Sequence, residues 1–263
     1  MRIAAKAGAW LLALGALTFL TATLYGQDNQ PGQIEPDAAN QLITLINQAR
    51  AANGAAPLQW DPGLAEAAEQ HCLRMSEKGP IEHQYKGEPS LVERAAGAGA
   101  HFSLIEENIA IGPSAEAIQN EWMHSPPHRT NLLNPAVNRI GTAVVANNGT
   151  LYAVADFSSA VMVLTPVQVE AQVASLIRVS GVSVLASDKE AREACATGAM
   201  PPSASSPMPR FMMLWQTSGL NQLPPALTAK LATGRYQGAE VGSCPPQGGQ
   251  NSFSAYRVAV LLY

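Results

Sequence analysis

The sequence has little charge and few aromatic residues for its length. Of its 263 residues, 14% are charged, 6% are aromatic and 47% are hydrophobic. A disordered chain carries much charge and few apolar residues, so this composition excludes general disorder and predicts a packed core. The formal net charge is −4 and the sequence has no basic cluster, which argues against nucleic acid as the main partner.

Cysteine is also scarce, with three residues in the whole chain. Cys72 lies in a predicted amphipathic helix, where we expect a buried thiol. Cys195 and Cys244 both lie in the C-terminal third of the chain. If the protein is exported, a disulfide is permitted, and we predict that these two residues form it.

A long hydrophobic run is present at the N-terminus, over residues 9–25, and Arg2 and Lys6 precede it. A positive start, an apolar stretch and an abrupt return to polar residues are typical of a secretory signal peptide. We therefore predict a signal peptide over 1–26 and a linker over 27–37, with no membrane span after cleavage. The alternative is an uncleaved membrane anchor, although a run of this length is at the short edge of what spans a bilayer. Both interpretations predict an exported protein.

Hydrophobic periodicity predicts helices and then a hairpin in the first part of the chain. Asp37 is expected to cap the first helix, and Asp61 followed by Pro62 is expected to start the second. Residues 139–158 alternate and are split by Asn147-Asn148-Gly149, a turn sequence that accepts positive φ angles. Helices combined with an antiparallel hairpin predict an α+β fold.

The pattern changes after residue 160. Residues 166–263 combine helical stretches with two strand-like runs, RFMMLWQ and SAYRVAVLLY. They also include a Pro/Ser-rich segment over 200–209, which we expect to be flexible. We therefore predict one domain over 38–160 and a small C-terminal α+β domain over 166–263.

Polar residues that can carry chemistry concentrate in two stretches, ENIAIG and WMHSPPHRTNLL. The first contributes Glu107, which we expect at the end of a loop. The second contributes His128, expected just after the helix break at Pro126 and Pro127. His83 lies upstream in a predicted loop. Two imidazoles and a carboxylate can hold a divalent cation or act as a general acid–base pair.

Other conspicuous residues are assigned structural roles. Ser125 lies near histidines, but it lacks a G-x-S-x-G elbow and precedes two prolines. We therefore expect a helix-end residue and not a nucleophile. Trp60, Trp122 and Phe157 are expected to be core aromatics and not platforms for a ligand.

The motifs occur in an order that resembles a known family. LINQARAANGAAPLQWDPGLAEAAEQHC is followed by HQY, ENIAIG, WMHSPPHRTNLL and RIGTA. Together they closely resemble the CAP superfamily of cysteine-rich secretory proteins, insect antigen 5 and plant pathogenesis-related proteins, and above all its bacterial secreted, SCP-like branch. The resemblance covers about residues 38–160. It implies a three-layer α–β–α sandwich with a cleft lined by two histidines and two acids, which hold zinc in some members.

The resemblance also assigns the residues of that cleft. His83 matches the first histidine, Glu107 the first acid and His128 the second histidine. Ser125 stands where the family has its second acid. The resemblance therefore implies a ligand cleft at these four residues, with at most a weak zinc site formed by the two histidines and Glu107. In the alternative interpretation these side chains only bond one another and the backbone.

The resemblance implies a secreted module that binds a small ligand, lipid-like or sterol-like, or a divalent cation. Enzymatic activity does not recur in the family, so a non-catalytic role is favoured. Two alternatives remain. In a hydrolase, His83 and His128 would position a water and Glu107 would act as the base. In an interaction scaffold, the C-terminal domain would hold a protein partner of unknown identity.

Overall fold

In the computed structural model of the chain, the described residues are 32–201, 208–246 and 253–263. The predicted signal peptide over 1–26 lies outside them, as do residues 27–31 of the predicted linker and residues 202–207 of the Pro/Ser-rich segment. The described helices are α1 (Pro36–Ala52), α2 (Pro62–Lys78), α3 (Leu91–Gly97), α4 (Ala115–His124), α5 (Pro126–Leu133), α6 (Pro166–Val179), α7 (Lys189–Thr197) and α8 (Pro225–Leu231). The strands are β1 (Gln33–Ile34), β2 (Gln59–Trp60), β3 (Phe102–Gly112), β4 (Arg139–Asn147), β5 (Thr150–Ala160), β6 (Ser183–Val184), β7 (Phe211–Thr217), β8 (Gly238–Cys244) and β9 (Tyr256–Leu262).

The first sheet is built around the predicted hairpin. Its main order is β1-β4-β5-β3, and β2 also pairs with β4. The hairpin turn has Asn148 at φ 51° and Gly149 at φ 76°, a left-handed pair that matches the right-handed twist of the two strands. Strand β3 pairs only with β5, so it forms one edge of this sheet within the described residues.

Helices cover both faces of the sheet, which confirms the three-layer α–β–α sandwich. On one face, α1, α4 and α5 contribute Leu42, Ile46, Trp122 and Leu132 to a core that includes Phe157 of β5. On the other face, α2 and α3 pack their own buried residues against the sheet. The helical period of the helices and the two-residue period of the strands therefore direct the apolar residues of both into the same two cores.

The second sheet uses only residues from the C-terminal part. Its order is β6-β8-β9-β7, with β6 parallel to β8 and the other pairs antiparallel. Helices α6 and α8 pack on one side of it, and α7 packs on the other. A disulfide joins Cys195 of α7 to Cys244 of β8, which confirms the predicted pair. Cys72 is a free, buried thiol, also as predicted.

Three local predictions were wrong, and one was incomplete. Glu107 lies inside strand β3 and not in a loop, because residues 107–110 are buried on both faces and show no alternation. The predicted helix break before His128 is present at Ser125, but His128 then lies inside α5, because Pro126 and Pro127 occupy the first helical turn, where no amide donor is needed. Helix α1 begins at Pro36 with Glu35 as its N-cap, so Asp37 is a first-turn residue. Trp60 is 57% exposed and is not a core aromatic.

Candidate functional site

The candidate site begins at the edge strand β3, where side chains alternate between the two faces of the sheet. Glu107 points to the face covered by α3, and its carboxylate contacts Arg94 of that helix. Glu106 points to the other face, where it accepts a hydrogen bond from Asn134 (2.8 Å). Asn108 lies on that face too, and accepts one from Asn131 (3.0 Å). The two-residue period of the strand therefore places the adjacent carboxylates of Glu106 and Glu107 on opposite faces of the sheet.

Both oxygens of the Glu107 carboxylate are engaged. Oε1 accepts a hydrogen bond from Nδ1 of His83 at 2.8 Å, and Oε2 accepts one from Nη2 of Arg94 at 2.5 Å. The carboxylate and the guanidinium are both buried. A buried carboxylate needs such charged partners, because the loss of water would otherwise strongly oppose ionisation.

Arg94 also fixes the loop that carries His83. Its Nη1 donates to the carbonyl of His83 at 3.3 Å and to the carbonyl of Pro89 at 3.2 Å. Helix α3 presents Arg94 on its buried side, and the helix itself starts with a capping box formed by Ser90 and Glu93. A single guanidinium therefore ties the loop, the helix and the strand together.

A second buried carboxylate, Glu88, holds the same loop from within. It accepts a hydrogen bond from the amide of Tyr85 at 2.9 Å and one from Nδ1 of His71 at 2.8 Å. Gln84 donates to the carbonyl of Glu88 at 2.8 Å. His83 and the residues that follow it are thus anchored to α2 and α3, which limits where the imidazole can lie.

Asp156 lies directly opposite Glu107 in the register of β3 and β5. It is completely buried, and no described donor reaches its oxygens. Burial raises the pKa of Asp156 well above its ordinary value, and the neighbouring Glu107 charge raises it further. The protonated form of Asp156 is therefore favoured beside Glu107, and a protonated Asp156 would leave one negative charge in the pair to balance Arg94.

His83 is the exposed end of this cluster. Its side chain is 60% exposed, and no described group bonds its Nε2. The hydrogen bond to Glu107 raises the pKa of His83, although burial opposes the shift. The imidazolium form is favoured, and its open Nε2–H faces away from the carboxylate as a hydrogen-bond donor.

The structure brings together His83 and Glu107, but it does not bond His128 or Ser125 to them. Asn108 donates to the carbonyl of His128 at 2.9 Å. Nδ1 of His128 is buried and has no partner among the described residues. Burial lowers the pKa of His128, and the positive charge of His83 lowers it further. The pKa values of the two histidines are therefore shifted in opposite directions, upward for His83 and downward for His128.

The arrangement does not suit zinc. Within the described ranges, no group of three or more His, Cys, Asp or Glu side chains is arranged to hold a metal ion. A dication at Glu107 would have to displace His83 or Arg94 from a carboxylate oxygen, and it would lie beside the charge of Arg94. The zinc site at His83, Glu107 and His128 stays a prediction that this geometry disfavours.

Sequence reasoning missed Arg94, Asp156 and Glu88. The partner of each lies on another element, His71 for Glu88 and Glu107 for both Arg94 and Asp156, so neither spacing nor periodicity marks them. One signal was present for Arg94: it lies among apolar residues in LVERAAG, where an arginine on the inner side of a helix needs a buried partner.

Comparison with known proteins identifies the family. The model of the cysteine-rich secretory protein family, CAP, matches residues 43–158. Residues 43–158 of the chain therefore belong to the CAP superfamily, as the order of motifs predicted.

Similar proteins occur in Bacillus. The protein YkwD of Bacillus subtilis is 32% identical over 106 residues, which make up 40% of this chain and 41% of YkwD. The membrane protein YlbC of the same organism is 32% identical over 121 residues, 44% of this chain and 34% of YlbC. The chain thus matches less than half the length of either relative. An extracellular protein containing a SCP domain from Bacillus anthracis is 26% identical with a TM-score of 0.44, covering 47% of this chain and 41% of that chain.

Among the described residues, no helix is both long enough and apolar enough to cross a membrane.

Proposed function

We propose that the protein is exported and that its CAP domain is a binding module for a small organic ligand. The ligand would place an acceptor group, such as a carboxylate, against Nε2 of His83. Its lipid-like or sterol-like character is what the family resemblance implies. The single observation that carries the proposal is the bonding of Glu107: both of its oxygens are engaged, and His83, whose side chain is 60% exposed, keeps its Nε2 open to a ligand.

The same observation weighs against the hydrolase alternative. A general base needs a carboxylate oxygen that can reach a water, and Arg94 and His83 hold both oxygens of Glu107. His83 has a raised pKa, so it is better suited to donate a hydrogen bond than to accept a proton. The scaffold alternative stays a prediction, which capture of a protein partner by the C-terminal part would test.

The test uses dodecanoate as the probe and dodecanol as its uncharged control. We expect His83→Gln to weaken dodecanoate binding by about tenfold at pH 6, because a charge-assisted hydrogen bond is lost. Binding by the unchanged protein should fall as the pH rises through the raised pKa of His83. His101→Gln is the matched control, because His101 is exposed and contacts Ser254 instead. Equal affinity of dodecanoate for the protein and for His83→Gln would refute the proposal.

Calorimetric titration with zinc chloride tests the metal alternative separately. The geometry predicts no difference in heat between the protein, His83→Ala and His128→Ala. A saturable heat that disappears in both variants would show that a metal binds at this site in place of the organic ligand.

A further inference from the structure

A groove lies at the opposite edge of the first sheet from Glu107. Strand β4 forms that edge, with β5 on its inner side. The short strand β1 pairs with one end of β4, at Val145 and Ala146. The equally short β2 pairs with the other end, at Arg139 and Ile140. Between these two pairings, the middle of the β4 edge has no partner strand among the described residues.

The backbone of Thr142 is open in this gap. The amide of Glu35 donates to the carbonyl of Val144, and the amide of Asp61 donates to the carbonyl of Ile140, both at 2.9 Å. Alternate residues of a strand direct their backbone groups to the same side, so the N–H and C=O of Thr142 point to this edge too. No backbone group of the described residues bonds them there.

Helices form the walls of the groove above this gap. The cavity has a volume of about 340 Å³, with Ala39 and Ile43 of α1 on one side and Ala65 of α2 on the other. The indole of Trp60, which is 57% exposed, also lines it. This volume lies within the range of small-ligand pockets.

The charges at the groove have one sign. Glu66 and Glu69, on the same side of α2, both line the cavity. Lysine and arginine are absent from the described residues that line it. An aromatic face with carboxylates and no competing cation is complementary to a positively charged ligand.

We propose that this groove binds a primary alkylammonium group. The ammonium would donate to the open carbonyl of Thr142 and to Glu66 or Glu69, and the indole of Trp60 would cover its alkyl chain and charge. The gap leaves the backbone groups of a single residue, Thr142, without a backbone partner on this side, since β1 and β2 block both ends. It is therefore too short for an added peptide strand and long enough for one ammonium group.

Such a group has two sources, a free amine and the side chain of a lysine. The test titrates the purified full chain with pentylammonium and, in a second arm, with Nα-acetyl-lysine amide. Pentanol has the same alkyl chain without the charge, and tetraethylammonium has the charge without N–H donors. The proposal predicts that both controls bind at least tenfold more weakly than pentylammonium. Binding of the lysine derivative as well would identify a protein side chain as an accessible source, and binding of pentylammonium alone would identify a free amine.

Substitutions in the groove test whether pentylammonium binds there. We expect Trp60→Leu to raise the Kd for pentylammonium about fivefold, and the Glu66→Gln/Glu69→Gln pair to raise it about tenfold and remove its dependence on salt. Glu77→Gln, an exposed change on the same helix outside the groove, should leave the Kd unchanged. All these side chains are exposed, and a circular dichroism melt confirms that each variant is folded. Equal affinity for pentanol, or an unchanged Kd in the double glutamine variant, would overturn the proposal.

Discussion

At the scale of single residues, Arg94 is the centre of the candidate site. It is buried, it neutralises Glu107, and it binds the loop carbonyls of His83 and Pro89. Asp156 lies opposite Glu107 in the sheet, and burial together with the Glu107 charge raises the pKa of Asp156. The family motif identifies Glu107 and His83, but the group that compensates their charge lies in a helix outside the motifs.

Replacing Arg94 with Met should destabilise the protein by about 3–5 kcal/mol, because it leaves the buried Glu107 charge uncompensated. Arg74→Met is the matched control: Arg74 is 40% exposed and lies 3.7 Å from Glu88, so its loss should cost less than about 1 kcal/mol. Urea unfolding at pH 7 measures both free energies. Similar losses in the two variants would show that the buried pair contributes no more than a surface pair.

The stability contributed by His83 should depend on pH in a defined direction. Its pKa is raised in the folded state, so the pair with Glu107 stabilises the protein fully below the unfolded pKa of about 6.5. This contribution is lost as the pH rises through the raised folded value. It is smaller than about 1 kcal/mol, because the side chain is largely exposed.

Urea unfolding of the protein and of His83→Gln between pH 5 and pH 9 measures this effect. The difference in unfolding free energy should be largest at the acidic end and should vanish at the alkaline end. A difference that grows as the pH rises would contradict the direction of the shift. His124→Gln provides a baseline, because His124 is exposed and bonds only the carbonyl of Asn120.

At the scale of elements, two glycines allow helices to approach the sheets closely. A Cβ on Gly141 of β4 would lie 2.1 Å from the amide nitrogen of Ala65 in α2. A Cβ on Gly242 of β8 would lie 2.2 Å from the amide nitrogen of Arg192 in α7. In each sheet the contact is with helix backbone, which cannot rotate away as a flexible side chain would.

Gly141→Ala should therefore destabilise the protein by about 3 kcal/mol or more, since the methyl group must push α2 away from β4. Gly97→Ala is the control, because Gly97 lies at the end of α3 and its added methyl would meet nothing within 4 Å. That change should be neutral or slightly stabilising, as alanine favours helix more than glycine does. Thermal melts compare the two. Equal melting temperatures would show that α2 shifts freely on the sheet.

At the scale of the whole molecule, the two sheets have separate cores. The buried clusters of the first sheet use residues up to Phe157, and those of the second use residues from Val169 onward. Hydrogen bonds also connect the two parts, such as the one from the amide of Ser254 to the carbonyl of Phe102 at 2.7 Å. The predicted division at 38–160 and 166–263 follows the sheets and awaits a direct test.

Loss of the disulfide supplies that test. Cys195 and Cys244 are separated by 49 residues, and closing a loop of this size should contribute about 4 kcal/mol. In a Cys195→Ala/Cys244→Ala variant, hydrogen exchange should accelerate in β8 and β9 and stay unchanged in β4 and β5. Equal acceleration in both sheets would show that the chain unfolds as one cooperative body.

Sequence alone determined the helices and the hairpin that have strong local signals. The Asp61 cap with Pro62, the turn at Asn148-Gly149 and the inner face of α2 were all predictable, because capping, turn geometry and helical period act between near neighbours. The ordered motifs also determined the family and the pairing candidates His83 and Glu107. The sequence did not predict strand β3, because a strand buried on both faces does not alternate between apolar and polar residues.

Only the tertiary structure decided the chemistry of the site. Arg94, Asp156 and Glu107 lie on different elements, so the ion pair of Arg94 with Glu107 and the raised pKa of Asp156 arise only when the sheet is covered. The same holds for the groove at Thr142, whose open carbonyl results from two short strands that stop before they meet. Local sequence sets the elements, but the removal of water by long-range packing decides which polar groups stay paired and which remain open to a ligand.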